Sequence, residues 1–196
     1  TAYDTQTKLV NLIQNQGYRP TRYFFRMTRS LTEPIPEPVC PAGFTLRAVD
    51  AERDAAAWVE MFNQSFVDHW NHRDLTLKEF YHFCSLSFYR AELNLVAIAP
   101  DGTFAAFCEC VIHPEDNLRS GRQEGWVGVL GTRRGFRRRG LGRAMLLAGL
   151  RALQNAGMET AILGVDADNP SGALGLYQSV GFKQLRRSIV LRQQLA

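Results

Sequence analysis

The chain has 196 residues, of which 45% are hydrophobic and 21% charged, and its net charge is +4. This length suits one full domain with an appendage, and the composition is ordinary for a soluble globular protein. No apolar run approaches the roughly 20 residues of a membrane-spanning helix, and no secretory signal is recognisable, so we expect a cytoplasmic protein without a membrane partner. The four cysteines form no CxxC pair and the four histidines show no metal-ligand spacing. We therefore expect buried thiols and no metal site.

The first part of the chain is predicted to form a helix, a strand and a linker. Asp4 to Gln16 has apolar residues at helical spacing, and Thr21 to Arg29 is a strand rich in aromatic residues. Four of the eight prolines follow, and such a composition favours an extended linker. We place this linker at residues 30–43, so that the main domain covers residues 44–196.

The N-terminal segment has a counterpart within the same chain. A shift of 164 residues aligns Leu12, Gln14, Gly17 and Arg22 with Leu176, Gln178, Gly181 and Arg186. This spacing is too long for a solenoid repeat and fits a duplicated domain. Residues 1–29 are therefore predicted to be the C-terminal remnant of a preceding domain with the same fold, and chance similarity over a short window is the alternative.

The main domain is predicted to begin with hairpins and to continue with alternating strands and helices. The predicted strands are Phe44–Val49, Asn94–Ala99, Thr103–Ile112, Glu124–Thr132, Thr160–Asp166 and Phe182–Leu191, and the helices are Arg53–Phe66, Thr76–Ser87, Leu141–Ala156 and Ser171–Val180. His113 to Arg122 is predicted to be a polar loop. This order indicates an α+β fold with a mixed central sheet of about six to seven strands flanked by helices.

A glycine turn between the strand Glu124–Thr132 and the helix Leu141–Ala156 is the most informative segment. Gly140 and Gly142 follow three consecutive arginines, and six arginines lie within residues 133–143. Glycine lets the main chain approach an anion, and a helix N-terminus adds free N–H groups and the positive end of its dipole. We therefore expect the turn to bind the phosphates of a cofactor. Specific nucleic-acid binding is not expected, because no aromatic interleaving or recognition helix accompanies the arginines.

A second segment begins 25 residues after Arg143 with Asp168-Asn169-Pro170, and Tyr177 follows it. In this order and spacing, the two segments resemble the signature of the GCN5-related N-acetyltransferase (GNAT) superfamily. The resemblance implies the GNAT fold and transfer of acetyl from acetyl-CoA, or of another short acyl group, to a primary amine in a ternary complex. It also makes this chain the C-terminal domain of a tandem GNAT protein. The alternative is a catalytically silent domain that binds acyl-CoA as a sensor or scaffold.

The resemblance assigns the cofactor contacts. The family's motif of Arg or Gln, two residues, Gly, one residue, and Gly or Ala matches Arg137, Gly140 and Gly142. The amides of the turn would hold the pyrophosphate, and the strand before it would pair with the pantetheine arm like an added strand. The expected cofactor-binding residues are Leu130, Gly131, Thr132, Arg137, Arg138, Arg139, Gly140, Leu141, Gly142, Arg143, Asn169 and Tyr177.

The resemblance also suggests catalytic and acceptor-binding residues. Tyr177 is the expected acid, because tyrosine is protonated at neutral pH and can donate a proton to the leaving thiolate; packing against the sheet is its alternative role. Glu124 and Glu109 are the two candidates for the general base, and a surface or hydrogen-bonded role is the alternative for each. The expected acceptor-binding residues are Phe66, His69 and Trp70, which lie where the family builds its acceptor pocket.

The expected partners follow from these assignments. The acceptor is a small-molecule or peptide amine. The aromatic strand at Tyr23-Phe24-Phe25 is too apolar to be left in water, so it should pair with a sheet edge. Pairing with a second copy of the chain is the alternative, and the expected protein partners are such a copy in a homodimer or the missing N-terminal domain.

Overall fold

A computed structural model describes residues 1–69, 72–168 and 172–193. The strands of these ranges are β1 Ala2–Tyr3, β2 Arg19–Ser30, β3 Thr45–Ala48, β4 Asn94–Ile98, β5 Phe104–Ile112, β6 Glu124–Thr132, β7 Thr160–Asp166 and β8 Lys183–Arg192. The helices are α1 Thr7–Asn15, α2 Ala51–Phe66, α3 Leu77–Cys84, α4 Pro114–Ser120, α5 Leu141–Asn155 and α6 Ala173–Ser179. The predicted α+β fold, a mixed sheet flanked by helices, is confirmed, and β1 and β2 from the N-terminal segment raise the number of strands to eight. None of these six helices is long and apolar enough to cross a membrane.

The chain divides into two compact units. One unit contains Ser30–Ala161, and the other combines Thr1–Arg29 with Ile162–Ala196. The predicted boundary after residue 29 coincides with a unit boundary, but the end of the predicted main domain groups with the N-terminal segment. The division into a remnant, a linker and a main domain at 1–29, 30–43 and 44–196 therefore stays a prediction.

In the unit of residues 30–161, β6, β5, β4 and β3 are neighbours in that order, and each pair is antiparallel. Helices α2 and α3 pack on one face through the rings of Trp58, Phe80 and Phe107. Helix α5 packs on the other face, where Gly149 lies against the buried thiol of Cys108. Because side chains alternate along a strand, Phe107 and Glu109 point toward α2 and α3, and Cys108 points toward α5.

Side-chain caps explain where the two helices of the first face begin. The carboxylate of Asp50 accepts hydrogen bonds from the backbone N–H groups of Glu52 and Arg53 at the start of α2. Thr76 and Glu79 form a capping box at the start of α3. Both arrangements satisfy N–H groups that a helix leaves without internal partners.

The segment predicted to be a polar loop at His113–Arg122 contains helix α4, so that prediction was wrong. A proline begins the helix and its fixed φ suits the first turn, while Glu115 and Asp116 place negative charge at the N-terminus. The side chain of Asn117 then bonds both backbone groups of Glu124. Local capping and the link to β6 thus outweigh the polar composition.

The predicted linker has neither helix nor strand between residues 31 and 44. It is nevertheless fixed along α5. Leu31 is buried, its carbonyl accepts a hydrogen bond from Gln154, and Arg151 bonds the carbonyl of Ile35 and the carboxylate of Glu37. The linker therefore belongs to the unit of residues 30–161.

In the other unit the strand order is β1-β8-β2-β7. The helix and strand that were predicted for residues 1–29 are present, and the 164-residue shift relates them to α6 and β8. Helix α1 ends at Asn15 and α6 at its counterpart Ser179, and β2 begins at Arg19 and β8 at its counterpart Lys183. The glycines between them, Gly17 and Gly181, have φ angles of 85° and 94°, values that favour glycine.

The antiparallel pair of β2 and β8 has a pseudo-two-fold axis. Phe24 pairs with Ser188, which is its own counterpart under the 164-residue shift. Each strand has one residue that no residue of the other strand opposes, Thr21 on β2 and Leu185 on β8. These two residues are also counterparts under the 164-residue shift. The pairing is thus symmetric about one point, as expected for two copies of one strand.

Candidate functional site

The glycine turn joins β6 to α5 through a short 3₁₀ turn at Arg134–Phe136. Gly140 has a left-handed φ of 88° as the N-cap of α5, and no side chain caps this helix. The first N–H groups of a helix have no intrahelical partners, so those of Leu141 and Gly142 are donors for an anion. Arg138, with φ of 63°, is the one described non-glycine residue with a positive φ. This geometry fits the phosphate-binding role predicted for the turn.

The arginines of the turn fall into two groups. Arg133 pairs with Glu60 at 2.7 Å, and Arg134 pairs with Asp68. Arg137 donates to the carbonyl oxygens of Thr132 and Ser65 at 3.2 and 2.9 Å and lies 3.4 Å from Asp68. These three side chains tie the turn to the C-terminal end of α2.

The remaining three arginines are exposed: Arg138, Arg139 and Arg143. The guanidinium carbon of Arg139 lies 5.4 Å from the centre of the Phe136 ring. Arg134 is exposed as well, although it pairs with Asp68. The guanidinium of Arg137, which the motif assigned to the cofactor, is used within the protein.

The strand segment before the turn is held along one edge by β5. Leu130, Gly131 and Thr132 pair with Cys108, Phe107 and Ala106. A Cβ atom at Gly131 would lie 2.3 Å from the Phe107 ring. Close packing on Phe107 therefore accounts for this glycine without reference to a cofactor.

A β-bulge lies just before this segment. Glu109 pairs with Val129 but Cys110 pairs with Val127, so Gly128 is an extra residue of β6. A Cβ atom at Gly128 would lie 3.5 Å from Oε1 of Glu109. The bulge thus places the Glu109 carboxylate beside an exposed glycine, four residues before Thr132.

The two glutamates predicted as base candidates lie in different environments. Glu109 is buried, with 8% of its surface exposed, and burial raises its pKa to about 7. Glu124 is half-buried and 3.2 Å from Arg122. Because Glu124 lies eight residues before Thr132, a strand rise of about 3.3 Å per residue places it about 26 Å from the turn.

Two predicted residues, Trp70 and Asn169, lie outside the described residues. Phe66 packs its ring on Phe62 and Phe107, at centroid distances of 4.9 and 6.1 Å. The exposed ring of His69 contacts Phe66 edge-on at 5.6 Å. Phe66 therefore belongs to the edge of the core, and His69 is the member of the pair that reaches solvent.

Tyr177 lies on α6 in the unit that contains the chain termini. It is buried, and its ring contacts Phe182 at 6.0 Å. A buried ring agrees with both roles predicted for Tyr177, proton donor and packing residue.

Sequence reasoning missed a polar group next to Glu109. Asn94 lies directly opposite Glu109 in the pairing of β4 and β5, and its Oδ1 accepts a hydrogen bond of 3.2 Å from Trp58. Burial raises the pKa of both Tyr89 and Cys84, and the nearby charge of Glu109 adds to each shift. A buried asparagine at the start of an apolar strand was the available signal, but its partner depends on strand register.

Comparison of the sequence with known proteins also finds acetyltransferases. The model of the "Acetyltransferase (GNAT) family" matches residues 55–182. The chain is 32% identical over 183 residues to the mycothiol acetyltransferase of Thermobispora bispora, covering 90% of this chain and 59% of that protein. The chain thus spans little more than half the length of this curated relative.

Two solved structures have the same fold. A GCN5-related N-acetyltransferase from Sphaerobacter thermophilus matches with a TM-score of 0.82 and 26% identity, covering 98% of this chain and 57% of that one. A tandem GNAT protein from the clavulanic acid biosynthesis pathway matches with a TM-score of 0.70 and 13% identity, covering 95% and 58%. The family model spans well over half of the chain and includes both segments that carried the resemblance. This chain therefore belongs to the acetyltransferase (GNAT) family.

Proposed function

We propose that this chain is the acyl-CoA-binding domain of an N-acyltransferase that transfers acetyl from acetyl-CoA, or another short acyl group, to a primary amine. The observation that carries the proposal is the uncapped N-terminus of α5, which follows β6 and the bulge beside the buried carboxylate of Glu109. Donors for a pyrophosphate and a group that can accept a proton thus flank one strand segment.

The proposed reaction is direct transfer. The neutral amine nitrogen attacks the thioester carbonyl, a C–N bond forms and the C–S bond breaks. The proton lost by the amine goes to Glu109, and the departing thiolate takes a proton from Tyr177. A base whose pKa is near the working pH suits this role, because it is partly ionised and still a good proton acceptor.

We assign the base to Glu109 rather than to Glu124. Both were candidates, but Glu124 lies at the far end of β6 beside Arg122. Glu109 lies beside the bulge that precedes the segment expected to pair with pantetheine.

The proposed cofactor contacts retain the predicted residues, except that the Arg137 side chain has a structural role instead of a direct contact. The backbone of Leu130–Thr132 and the amides of Arg138–Arg143 hold the cofactor, together with Asn169. For Arg137, the side chain orients the turn through Thr132 and Ser65. The proposed acceptor is a small-molecule amine, as the name of the mycothiol acetyltransferase relative suggests, and Phe66, His69 and Trp70 line its pocket. A cytoplasmic location is part of the proposal.

A titration with CoA tests the cofactor site. Gly142 lies within α5 without a positive φ, so Gly142→Val adds bulk at the first turn of the helix without forcing a left-handed valine. We expect at least a tenfold loss of CoA affinity, measured by calorimetry, because the side chain would block the approach of the pyrophosphate to the backbone. Gly135→Val is the matched control, since a Cβ there has open space around it.

Unchanged affinity in a folded Gly142→Val protein would remove the turn from the site. Binding of CoA without transfer to any amine in an acceptor screen would instead favour the silent sensor or scaffold domain.

The tandem organisation is a further part of the proposal. The symmetric pairing of β2 with β8 supports it. The strand order β1-β8-β2-β7 supports it too: the 164-residue shift places β1 on the end of β7 and β2 on β8, so the order is symmetric. Helix α1 buries none of its residues, and Leu9 and Leu12 are exposed. The body of a preceding GNAT-like domain would cover this face.

A further inference from the structure

The end of β7 is held by the neighbouring strand β2, which the N-terminal segment contributes. Asp166 is the last residue of β7, and its carboxylate accepts a hydrogen bond from Nε of Arg22 on β2. The Asp166 side chain is 3% exposed and that of Arg22 20%, so the ion pair is largely shielded from water. The backbone supports the same contact, because the N–H of Ala167 donates to the carbonyl oxygen of Tyr23 at 2.9 Å.

The Asp166 carboxylate also fixes the segment that follows β7. Its Oδ1 accepts a hydrogen bond of 3.0 Å from the backbone N–H of Asp168. Asp168 is the first residue of the second signature segment, and Asn169, a proposed cofactor contact, is the next residue of the chain. Arg22 therefore holds the carboxylate, and the carboxylate holds the backbone one residue before Asn169.

The two copies of the repeat differ at this ion pair. The 164-residue shift places Arg22 on Arg186, so both copies have an arginine at this position of the strand. It places Asp166 on Ala2, so the N-terminal copy has alanine in place of the acid. The guanidinium carbon of Arg186 lies 5.4 Å from the centre of the Tyr3 ring.

The proposed cofactor residue differs between the copies in the same way. The shift places Asn169 on Thr5, so the acid and the asparagine occur together in one copy and are both replaced in the other. Strand pairing by itself does not explain the difference, because β1 neighbours β8 as β7 neighbours β2. The ion pair is therefore associated with the cofactor segment.

We infer that Arg22 is a positioning residue for the cofactor site, which fixes through Asp166 the segment that brings Asn169 to CoA. A contact residue that is held in place before the ligand arrives loses less conformational freedom on binding. The ion pair therefore raises CoA affinity although Arg22 does not touch the cofactor. This inference rests on the proposed function, and it gives the N-terminal segment a role in binding as well as in folding.

A calorimetric titration with CoA, at a temperature where the variants are folded, tests the role of Arg22. Arg22→Gln removes the charge and keeps a long polar side chain, and we expect CoA affinity to fall about tenfold. Asp166→Asn keeps an oxygen for the N–H of Asp168 and leaves no carboxylate uncompensated, so it remains informative if Arg22→Gln does not fold. We expect it to lose about as much affinity. Arg186→Gln is the matched control, because it changes the counterpart arginine, and its affinity should equal that of the parent chain.

Double variants show through which residues Arg22 acts. In an Asn169→Ala background the proposed contact is absent, so Arg22→Gln should change CoA affinity less than about twofold. The same small effect is expected in an Asp166→Asn background, because the ion pair is already broken. The Tm of each variant is measured in parallel, since an ion pair with a structural role alone would lower the Tm and leave CoA affinity unchanged.

Unchanged CoA affinity in folded Arg22→Gln and Asp166→Asn proteins would overturn the inference, and so would an undiminished loss in the Asn169→Ala background. An equal loss in Arg186→Gln would also overturn it, because it would indicate a general effect of positive charge on an anionic ligand. A parent chain that does not bind CoA would instead overturn the proposed function. The two failures are therefore distinguishable by the parent titration.

Discussion

The burial of Glu109 suits it to act as a base but lowers the stability of the folded protein. Burial raises its pKa from 4.5 to about 7, a difference that corresponds to at most about 3 kcal/mol of folding free energy. Below pH 4.5 the carboxyl group is neutral in the folded and unfolded states. As the pH rises from 4.5 to 7, the unfolded chain loses the proton first, so this group lowers stability and its full cost is present above pH 7. Such a cost is typical of a residue kept for function.

The first prediction concerns the base. Because Glu109 accepts a proton only when ionised, kcat/KM of the parent protein should rise as the pH increases through about 7. Glu109→Gln should lower turnover about 10²-fold or more and abolish this rise. Steady-state kinetics between pH 5 and 9 measures both. Glu124→Gln is the matched control, and a larger loss there would reverse the assignment.

The second prediction concerns the acid. Tyr177→Phe keeps the buried ring and its contact with Phe182 and removes only the hydroxyl. CoA affinity should be retained while turnover falls about 10-fold to 10⁴-fold. An unaltered turnover rate would leave Tyr177 with the packing role alone.

At the scale of elements, α5 approaches β5 closely because Gly149 has no side chain. A Cβ atom at this position would lie 2.5 Å from Sγ of Cys108 and 3.0 Å from Sγ of Cys110. The same helix presents its N-terminus at the glycine turn, so this contact fixes the position of the expected phosphate site relative to the sheet.

The third prediction follows from that contact. Gly149→Ala should destabilise the protein by about 1–3 kcal/mol, because overpacking displaces the helix or the thiols. Cys108→Ala in the same protein should recover part of the loss by making room. Denaturant unfolding measures the difference, with Gly135→Ala as a control at an open position. Equal stability of Gly149→Ala and the parent would contradict the close contact.

At the scale of the whole molecule, the N-terminal segment is part of the fold and also presents exposed apolar residues. Met27 of β2 is fully buried with 0% exposure, whereas Leu12 of α1 is 60% exposed. The strand thus contributes to a core, and the helix displays an apolar face. Both facts agree with a duplicated element whose own domain precedes it.

The fourth prediction compares these two residues. Met27→Ala should cost about 2–5 kcal/mol in the 196-residue chain, because it leaves a cavity, and Leu12→Ala should cost less than about 0.5 kcal/mol. In a longer chain that includes the preceding domain, Leu12→Ala should cost about 2 kcal/mol or more. Chemical denaturation of these three variants and of their two parent chains tests this. A neutral Leu12→Ala in the longer chain would exclude the proposed cover of α1.

The sequence by itself determined the elements that depend on contiguous residues. The bounds predicted for β6 and β7 are those observed, and the turn between β6 and α5 was recognised with its left-handed Gly140. The 164-residue repeat also predicted where α1 ends and β2 begins relative to α6 and β8. Periodicity, glycine and proline act within a few residues, so a sequence pattern contains this information.

Only the tertiary structure decided which side chains share an environment. It separated Glu109 from Glu124, assigned Arg137 to Ser65 and Thr132, and explained Gly131 by Phe107. It also brought Asn94 opposite the candidate base. These relations depend on strand register and on helices that pack from distant parts of the chain. A shift of one residue in register would turn Asn94 to the other face of the sheet, and no local pattern fixes that choice.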